Sequence, residues 1–478
     1  MGKHSLFNDE EISKQQKLVK EDYALLRSRS DLSSTALAYN LAHSLFELIM
    51  LQVSNDATQL FYLSMIVGQT AKLYEEQQDQ KEKNLTIKFQ KEIQKAIDLQ
   101  QKQISYYAPD ACIDNHHLSN KHPESHHRLA AIKNTLETMQ MVKKHPVTST
   151  VTLASWPHYT SQCRQNMTEL LSGKNKNLNT VSKNFPEFVN LCADDVPITH
   201  NTRLAVEAAL STADDAAERT LNNIKNNKSE KIFCAIRPPS HHAHPDHPEG
   251  FCYANSVIHV AEKLMRAGKK VMIIDIDAHH GNGTYEHLAK LPQELQNKYR
   301  MVDVFGVGEG SYMDKKYMAE RLKEAKNKPY CDKIHLHPIK STAEYTGGNV
   351  LNKIQDSVNQ FKQAHFTPDV VLVSAGFDAA QEENFGGNLS PHDFGKIGQY
   401  IASISPNVIS LVEGGYCYHK ERKNSLQQCV YNYIAGTATL LPREDAPYPF
   451  ENLSAVQNSL EFLYHEIMSV NSNKKIKI

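Results

Sequence analysis

The chain has little that would mark it as secreted, membrane-spanning or built to coat nucleic acid. Its 8 cysteines are scattered through 478 residues without one Cys-x-x-Cys pair, which excludes a disulfide framework and a cysteine-rich structural zinc site. They suit reduced thiols in a cytosol-like compartment. No run of eighteen apolar residues occurs, so no transmembrane helix is expected. The opening Met1-Gly2-Lys3-His4-Ser5 lacks the apolar core of a signal peptide, and Leu6 stands where a myristoylation start needs Ser or Thr. A formal net charge of -1 leaves no whole-protein basic field, so direct binding to nucleic acid or a membrane surface is not expected.

Proline is missing from residues 1–105 and glycine is rare there, whereas Gln, Lys, Glu and Leu abound. Apolar residues recur at helical spacing in Leu41-Leu45-Leu48-Ile49 and in Leu60-Leu63-Ile66-Val67. Ser33 or Ser34 is a candidate cap for the first helix, Asn55 or Asp56 for the next. The charged stretch 77–83 reads as a solvated helix face or short linker. Residues 1–105 are therefore expected to form a helical extension, whose partner is unknown. Residues 106–478 are expected to form a second domain.

From about residue 110 apolar strands alternate with amphipathic helices. Strands are expected at 232–236, 270–277, 301–307, 333–337, 369–377 and 407–413, with helices including 256–266, 343–362 and 391–404. That alternation predicts a parallel sheet with helices on both faces, and ligands bound beyond the carboxyl ends of the strands.

Histidine is the compositional outlier. His241, His242, His244, His247, His279 and His280 lie within about forty residues. The densest chemistry is Asp275-Ile276-Asp277-Ala278-His279-His280-Gly281, directly after the apolar run Val271–Ile274. Strand alternation predicts that Asp275, Asp277 and His279 project to one side. Asp378 ends a second apolar run, and with Asp277 and His279 it makes a His/Asp/Asp set that leaves a coordination position open for water, as catalytic zinc requires.

Further segments accompany these strand ends: His122–Leu129, Arg237-Pro238-Pro239-Ser240-His241-His242-Ala243, Gly250-Phe251-Cys252-Tyr253-Ala254-Asn255 and Glu413-Gly414-Gly415-Tyr416. In this order, from about residue 110 to about 440, they resemble the zinc-dependent histone deacetylase superfamily, which also includes acetylpolyamine amidohydrolases and acetoin-utilisation proteins.

The resemblance implies an arginase-like open α/β fold and zinc held by Asp277, His279 and Asp378. It implies His242 as general base and His241 as its electrostatic partner, oriented by Asn282 and Asp275 respectively. Asn at 282 is the class II-like choice, and an amide leaves His242 neutral. Tyr416, after Gly414 and Gly415, would donate to the oxyanion. Phe251, after Gly250, matches the aromatic wall of an acyl-lysine tunnel. Phe385 stands near its rim, and Arg128 matches a buried arginine behind the metal. A potassium ion beside the zinc strand is implied at Asp275 and the carbonyls around Asp277 and His279.

Three rivals are weighed. A binuclear manganese hydrolase would want carboxylates where Gly281 and Ala380 stand. A deacetylase of acetylated polyamines would share the chemistry. A non-catalytic scaffold would be expected to lose a ligand, a tandem histidine or the tyrosine, and none is lost. The expectation is a deacetylase of acetyl-lysine in proteins, histones among them, located in the cytoplasm, or in the nucleus if histones are the substrate.

Overall fold

The computed structural model describes residues 5–27, 34–51, 57–98, 104–118, 122–139, 142–153, 189–190, 196–199, 201–307, 323, 330, 332–383, 387–418, 425–439, 444 and 453–474. The chain divides into two compact units. One comprises Met1–Gln103, Asn134–Lys143 and Thr439–Ile478; the other comprises Ile104–Lys133 and Lys144–Ala438. The expected division placed all of 106–478 in one domain. By contact, Asn134–Lys143 and the last forty residues instead group with the N-terminal helices.

That helical unit contains Ser5–Arg27, Ser34–Leu51, Ala57–Glu76, Gln80–Asp98 and Leu453–Lys474. Leu41, Leu45 and Ile49 are buried, as are Leu60, Leu63, Ile66 and Val67, so the apolar spacing read from the sequence is the inward face of each helix. Residues 77–79, between the third and fourth helices, and 80–81, which open the fourth, are exposed. The C-terminal helix belongs to the same core. Tyr464 stacks on Tyr23 with ring centroids 4.0 Å apart, and the Tyr23 hydroxyl donates to Glu461 at 2.7 Å. Among the described residues no helix is long and apolar enough to cross a membrane.

The second unit is an α/β layer structure. The strands of the chain, in order, are β1 (Ile104–Tyr107), β2 (Val142–Lys144, whose first two residues fall in the helical unit), the short pair β3 (Val189–Asn190) and β4 (Pro197–Ile198), then β5 (Lys231–Cys234) and β6 (Val271–Asp275). They continue with β7 (Tyr299–Gly306), β8 (Ile334–Ile339), β9 (Val370–Ala375) and β10 (Val408–Val412). Eight of them form one sheet in the order β2-β1-β5-β10-β9-β6-β7-β8, and neighbours run parallel from β1 across to β8. This is the expected open parallel sheet. β3 and β4 pair antiparallel apart from it.

β6, β9 and β10 are buried along their whole length, which is why they read as unbroken apolar runs. Each fully buried Val, Ile or Leu there contributes about 1.5–3 kcal/mol against exposure. The helices start where side chains can cap them. Asn255 accepts from the Ile258 amide to open Ser256–Arg266, and Ser390 with Asp393 forms a capping box ahead of Pro391–Ile404. Thr346 caps Gly347–Gln363, so that helix begins four residues later than its apolar spacing suggests.

The register decides what meets at the carboxyl edge. Asp275 pairs with Ser374, Val412 with Ala375, and Leu411 with Cys234. The ends of β5, β10, β9 and β6 therefore lie side by side, and the chemistry-bearing segments follow directly from all four.

Candidate metal centre and active site

β6 ends at Asp275, so Asp277 and His279 do not sit on a strand. This corrects the expectation that strand alternation aims them. A turn does so instead, and each of its steps is hydrogen-bonded. The Asp277 amide donates to Asp275 Oδ1 at 3.1 Å, and the His279 amide donates to Asp277 Oδ1 at 3.0 Å. The Ala278 amide reaches across to Asp378 Oδ1 at 2.8 Å, tying the turn after β6 to the one after β9. The Gly414 amide, just beyond β10, donates to Asp277 Oδ2 at 2.7 Å. A Cβ on Gly414 would lie 2.4 Å from Asp378 Oδ2 and 2.6 Å from Asp277 Oδ2, so only glycine allows this approach.

One ligand atom from each of Asp277, His279 and Asp378 falls within 4.8 Å of the others, and all three residues are buried. His279 Nδ1 is 3.0 Å from Asp277 Oδ1 and 2.9 Å from Asp378 Oδ2. Burial opposes charge on the His279 ring, but Asp378 and Asp277 outweigh it and push its pKa up to about 10. Burial, with Asp277 next to it, raises the Asp378 carboxyl above the usual carboxylate range. Two buried carboxylates converging on one imidazole nitrogen call for a cation at their centre. The donor set fits a divalent ion of zinc character with room for a fourth ligand.

The tandem histidines follow β5. His241 Nδ1 lies 3.1 Å from Asp275 Oδ2, and His242 Nδ1 lies 2.6 Å from Asn282 Oδ1, so each expected orienting pair is in contact. The two rings are 4.0 Å apart, and His241 Nε2 is 3.8 Å from Asp277 Oδ1. Burial disfavours charge on His241, yet Asp277 and Asp275 raise its pKa well above the ordinary histidine value. Burial, His241 and His279 hold His242 well below it. Neighbouring imidazoles thus differ in charge state at neutral pH.

Gly250 has φ +54, and a Cβ there would meet His242 Cδ2 at 2.4 Å. Phe251 follows at φ +63, a left-handed backbone that a large residue rarely adopts. Its ring meets Tyr416 edge-on at 6.3 Å and His122 at 4.9 Å. Tyr416 follows Gly415, whose φ is +119. Burial and the Asp378 charge raise the Tyr416 hydroxyl pKa well above its usual value, so it is a proton donor at neutral pH. Arg128 is fully buried; its Nε donates to the Gly415 carbonyl at 2.8 Å and its Nη2 to the Glu413 carbonyl, with the guanidinium 5.2 Å from the Tyr416 ring centre. Phe385 lies outside the described residues.

Three carboxylates that carry no role in the sequence reading hold these parts in place. Glu413 accepts from the Ser240 amide, from Ser240 Oγ at 2.6 Å and from the His241 amide at 3.1 Å, anchoring the tandem loop. Glu383 accepts from the amides of Tyr416 and Cys417, and burial pushes its carboxyl up to about 7. Glu124 pairs with Arg237 at 2.6 Å, at the base of the tandem loop. Glu413 and Glu124 lie inside segments singled out in the sequence, 413–416 and 122–129; nothing local signalled Glu383.

A parallel sheet whose strand ends assemble a buried His/Asp/Asp group able to hold a metal, beside paired imidazoles, defines an α/β domain with a candidate metal site. Comparison with known proteins makes the assignment specific. Residues 122–433 match the family model described as histone deacetylase domain, and the chain belongs to the histone deacetylase family. Histone deacetylase 6 of Caenorhabditis elegans is 24% identical over 340 residues, covering 68% of this chain and 33% of that protein. Histone deacetylase 15 of Arabidopsis thaliana is 30% identical over 226 residues, covering 45% of this chain and 37% of that protein. The chain thus spans about a third of the length of these curated relatives. The crystal structure of the HDA15 HD domain superposes with a TM-score of 0.55 at 20% identity, covering 79% of this chain and 99% of that one, which shows the shared fold.

Proposed function

We propose that the protein is a zinc-dependent deacetylase that hydrolyses acetyl-lysine amides in proteins, histones among them. The observation that carries this reading is the pairing of two buried imidazoles, His242 on Asn282 and His241 on Asp275, beside the Asp277/His279/Asp378 group. Those three residues would hold the zinc, which when bound polarises the acyl carbonyl and acidifies water. His242 takes a proton from the attacking water as its oxygen bonds to the acyl carbon, and returns a proton to the lysine nitrogen as the amide C–N bond breaks. His241, charged against Asp275, stabilises the negative charge that grows on the acyl oxygen, and the Tyr416 hydroxyl donates to the same oxygen. Phe251 and Tyr416 wall the entrance, leaving an aromatic-lined path for an extended acyl-lysine.

A potassium ion beside Asp275 belongs to the same proposal. Burial pushes the Asp275 carboxyl up to about 8, a shift that an adjacent cation would reverse.

The test compares acetyl-lysine peptides, longer acyl-lysine peptides and acetylated polyamines, using the full chain and its Asp378→Asn variant. Hydrolysis of acetyl-lysine peptides, lost together with zinc in the variant, is the expected result. Preference for acetylated polyamines would overturn the protein-substrate reading, and stoichiometric zinc with normal turnover in the variant would remove Asp378 from the site.

A further inference from the structure

A second imidazole–carboxylate group lies in the loop between the tandem histidines and Gly250. His244, His247 and Glu249 each offer a ligand atom within 4.8 Å of the others. His244 is buried, whereas His247 and Glu249 are reached by solvent. His244 Nε2 lies 2.9 Å from Glu249 Oε2, and His247 Nε2 lies 3.4 Å from the same oxygen. The backbone preforms the group: the His244 amide donates to the His247 carbonyl at 2.9 Å, and Glu249 and Cys252 bridge through their amides.

The protonation pattern points to a cation at its centre. His244 Nδ1 contacts Glu286 Oε2, the arrangement by which a carboxylate fixes the tautomer of a metal-binding histidine. With the Nδ1 proton on Glu286, Nε2 carries a lone pair and faces a carboxylate oxygen. A lone pair against a carboxylate at 2.9 Å requires a positive charge between them, either a proton or a metal ion. Asn282 occupies the other oxygen of Glu249, given the His242 role proposed above. Its Oδ1 takes the His242 Nδ1 proton, so its Nδ2 faces the other way, 3.1 Å from His244 Nε2 and 3.1 Å from Glu249 Oε1. A metal ion bound to Nε2 and Oε2 leaves the Asn282–Glu249 hydrogen bond intact.

Charge favours the same conclusion. Glu249, Glu286 and Asp246 surround the group, and Lys290 lies 2.6 Å from Glu286. Two imidazoles and one carboxylate with open positions suit an ion of the zinc class, not calcium or magnesium, which take oxygen ligands.

We propose that His244, His247 and Glu249 bind a second divalent ion of the zinc class, with Glu286 orienting His244. The site closes the 244–249 loop against Asn282 and is separate from the Asp277/His279/Asp378 group.

The full chain would be loaded with zinc, desalted, and its metal content measured by mass spectrometry, with cobalt(II) as a second probe read by its visible spectrum. Two equivalents are expected in the parent, one in His247→Ala, one in Asp378→Asn and none in the double variant. His247 is 43% exposed on its side chain, so its replacement is not expected to disturb folding, and His247→Gln repeats the test with volume retained. A parent with one equivalent that both His247 variants retain overturns the proposal, as does a parent with two that both retain. Loss of one equivalent in the His247 variants with no loss in Asp378→Asn supports this site and sinks the reading of the other.

Discussion

His241 and His242 are adjacent in sequence, their rings are 4.0 Å apart, and both are buried, yet they are held in opposite charge states. The difference lies in what each ring meets. Asp277, and after it Asp275, draws positive charge onto His241 and outweighs the cost of burial. Asn282 gives His242 a hydrogen-bond acceptor without a charge, so burial and the neighbouring imidazoles prevail. On the proposed function, two identical side chains thereby serve as an electrostatic stabiliser and a base. Their division of labour is set about forty residues away, at the end of β6 and the start of the next helix.

The severest test of that division is His242→Ala. Loss of the base should cut kcat by about 10²–10⁴-fold with zinc content nearly unchanged, because His242 is no ligand. Kinetics beside metal analysis check this, and His241→Ala should be milder. The reverse order would move the base role to His241.

Tyr416→Phe sharpens the picture from the other side of the acyl oxygen. It deletes one hydroxyl and almost no volume, so kcat should fall by about 10²–10³-fold while zinc and substrate affinity hold. Near-normal turnover would leave the charge on His241 as the chain's main oxyanion partner.

Asn282→Asp attacks the comparison directly by giving both histidines a carboxylate. The His242 pKa should then rise, so protonation disables it at higher pH and the acid limb of kcat/KM moves up by roughly one unit. Below that limb the variant should be about tenfold slower than the parent at the same pH. An unmoved limb in the pH profile would show that Asn282 does not set the charge state of His242.

The smallest expected effect is at Glu383, which holds the Tyr416 amide. Its carboxyl is raised from 4.5 to about 7 by burial, so between those values the folded chain binds a proton that the unfolded chain releases. Its contribution to stability is present in full below pH 4.5 and is lost as pH rises through about 7. Glu383→Gln should remove that slope. Urea unfolding of parent and variant from pH 5 to 8 reads the difference, and identical slopes would contradict it.

Much of the α/β unit was legible because buried parallel strands must be apolar on both faces. The runs at 271–274 and 370–375 could be little else, and the segments after them were located correctly as the carboxyl edge. β1 and β2 escaped notice because four and three residues carry too little pattern. Asp277 and His279 were matched with Asp378 for a wrong local reason: the strand had already ended, and backbone amides of their own turn and of the turn after β10 aim them. Glu124, Glu383 and Glu413 had no assigned role because a carboxylate that binds distant amides looks like any surface glutamate in the sequence.

By itself the sequence determined which elements form and which chemistry is on offer. Apolar periodicity, capping residues and the order of the Asp, His and Gly-Gly-Tyr segments are local properties, and the physics that reads them acts over a few residues. Tertiary structure alone decided the charge on each histidine, the convergence of Asp378 on a turn 100 residues earlier, and the grouping of the last forty residues with the N-terminal helices. Those outcomes depend on burial and on partners remote in the chain. A charge in a desolvated site is governed by what stands a few ångströms away, whatever its distance in sequence.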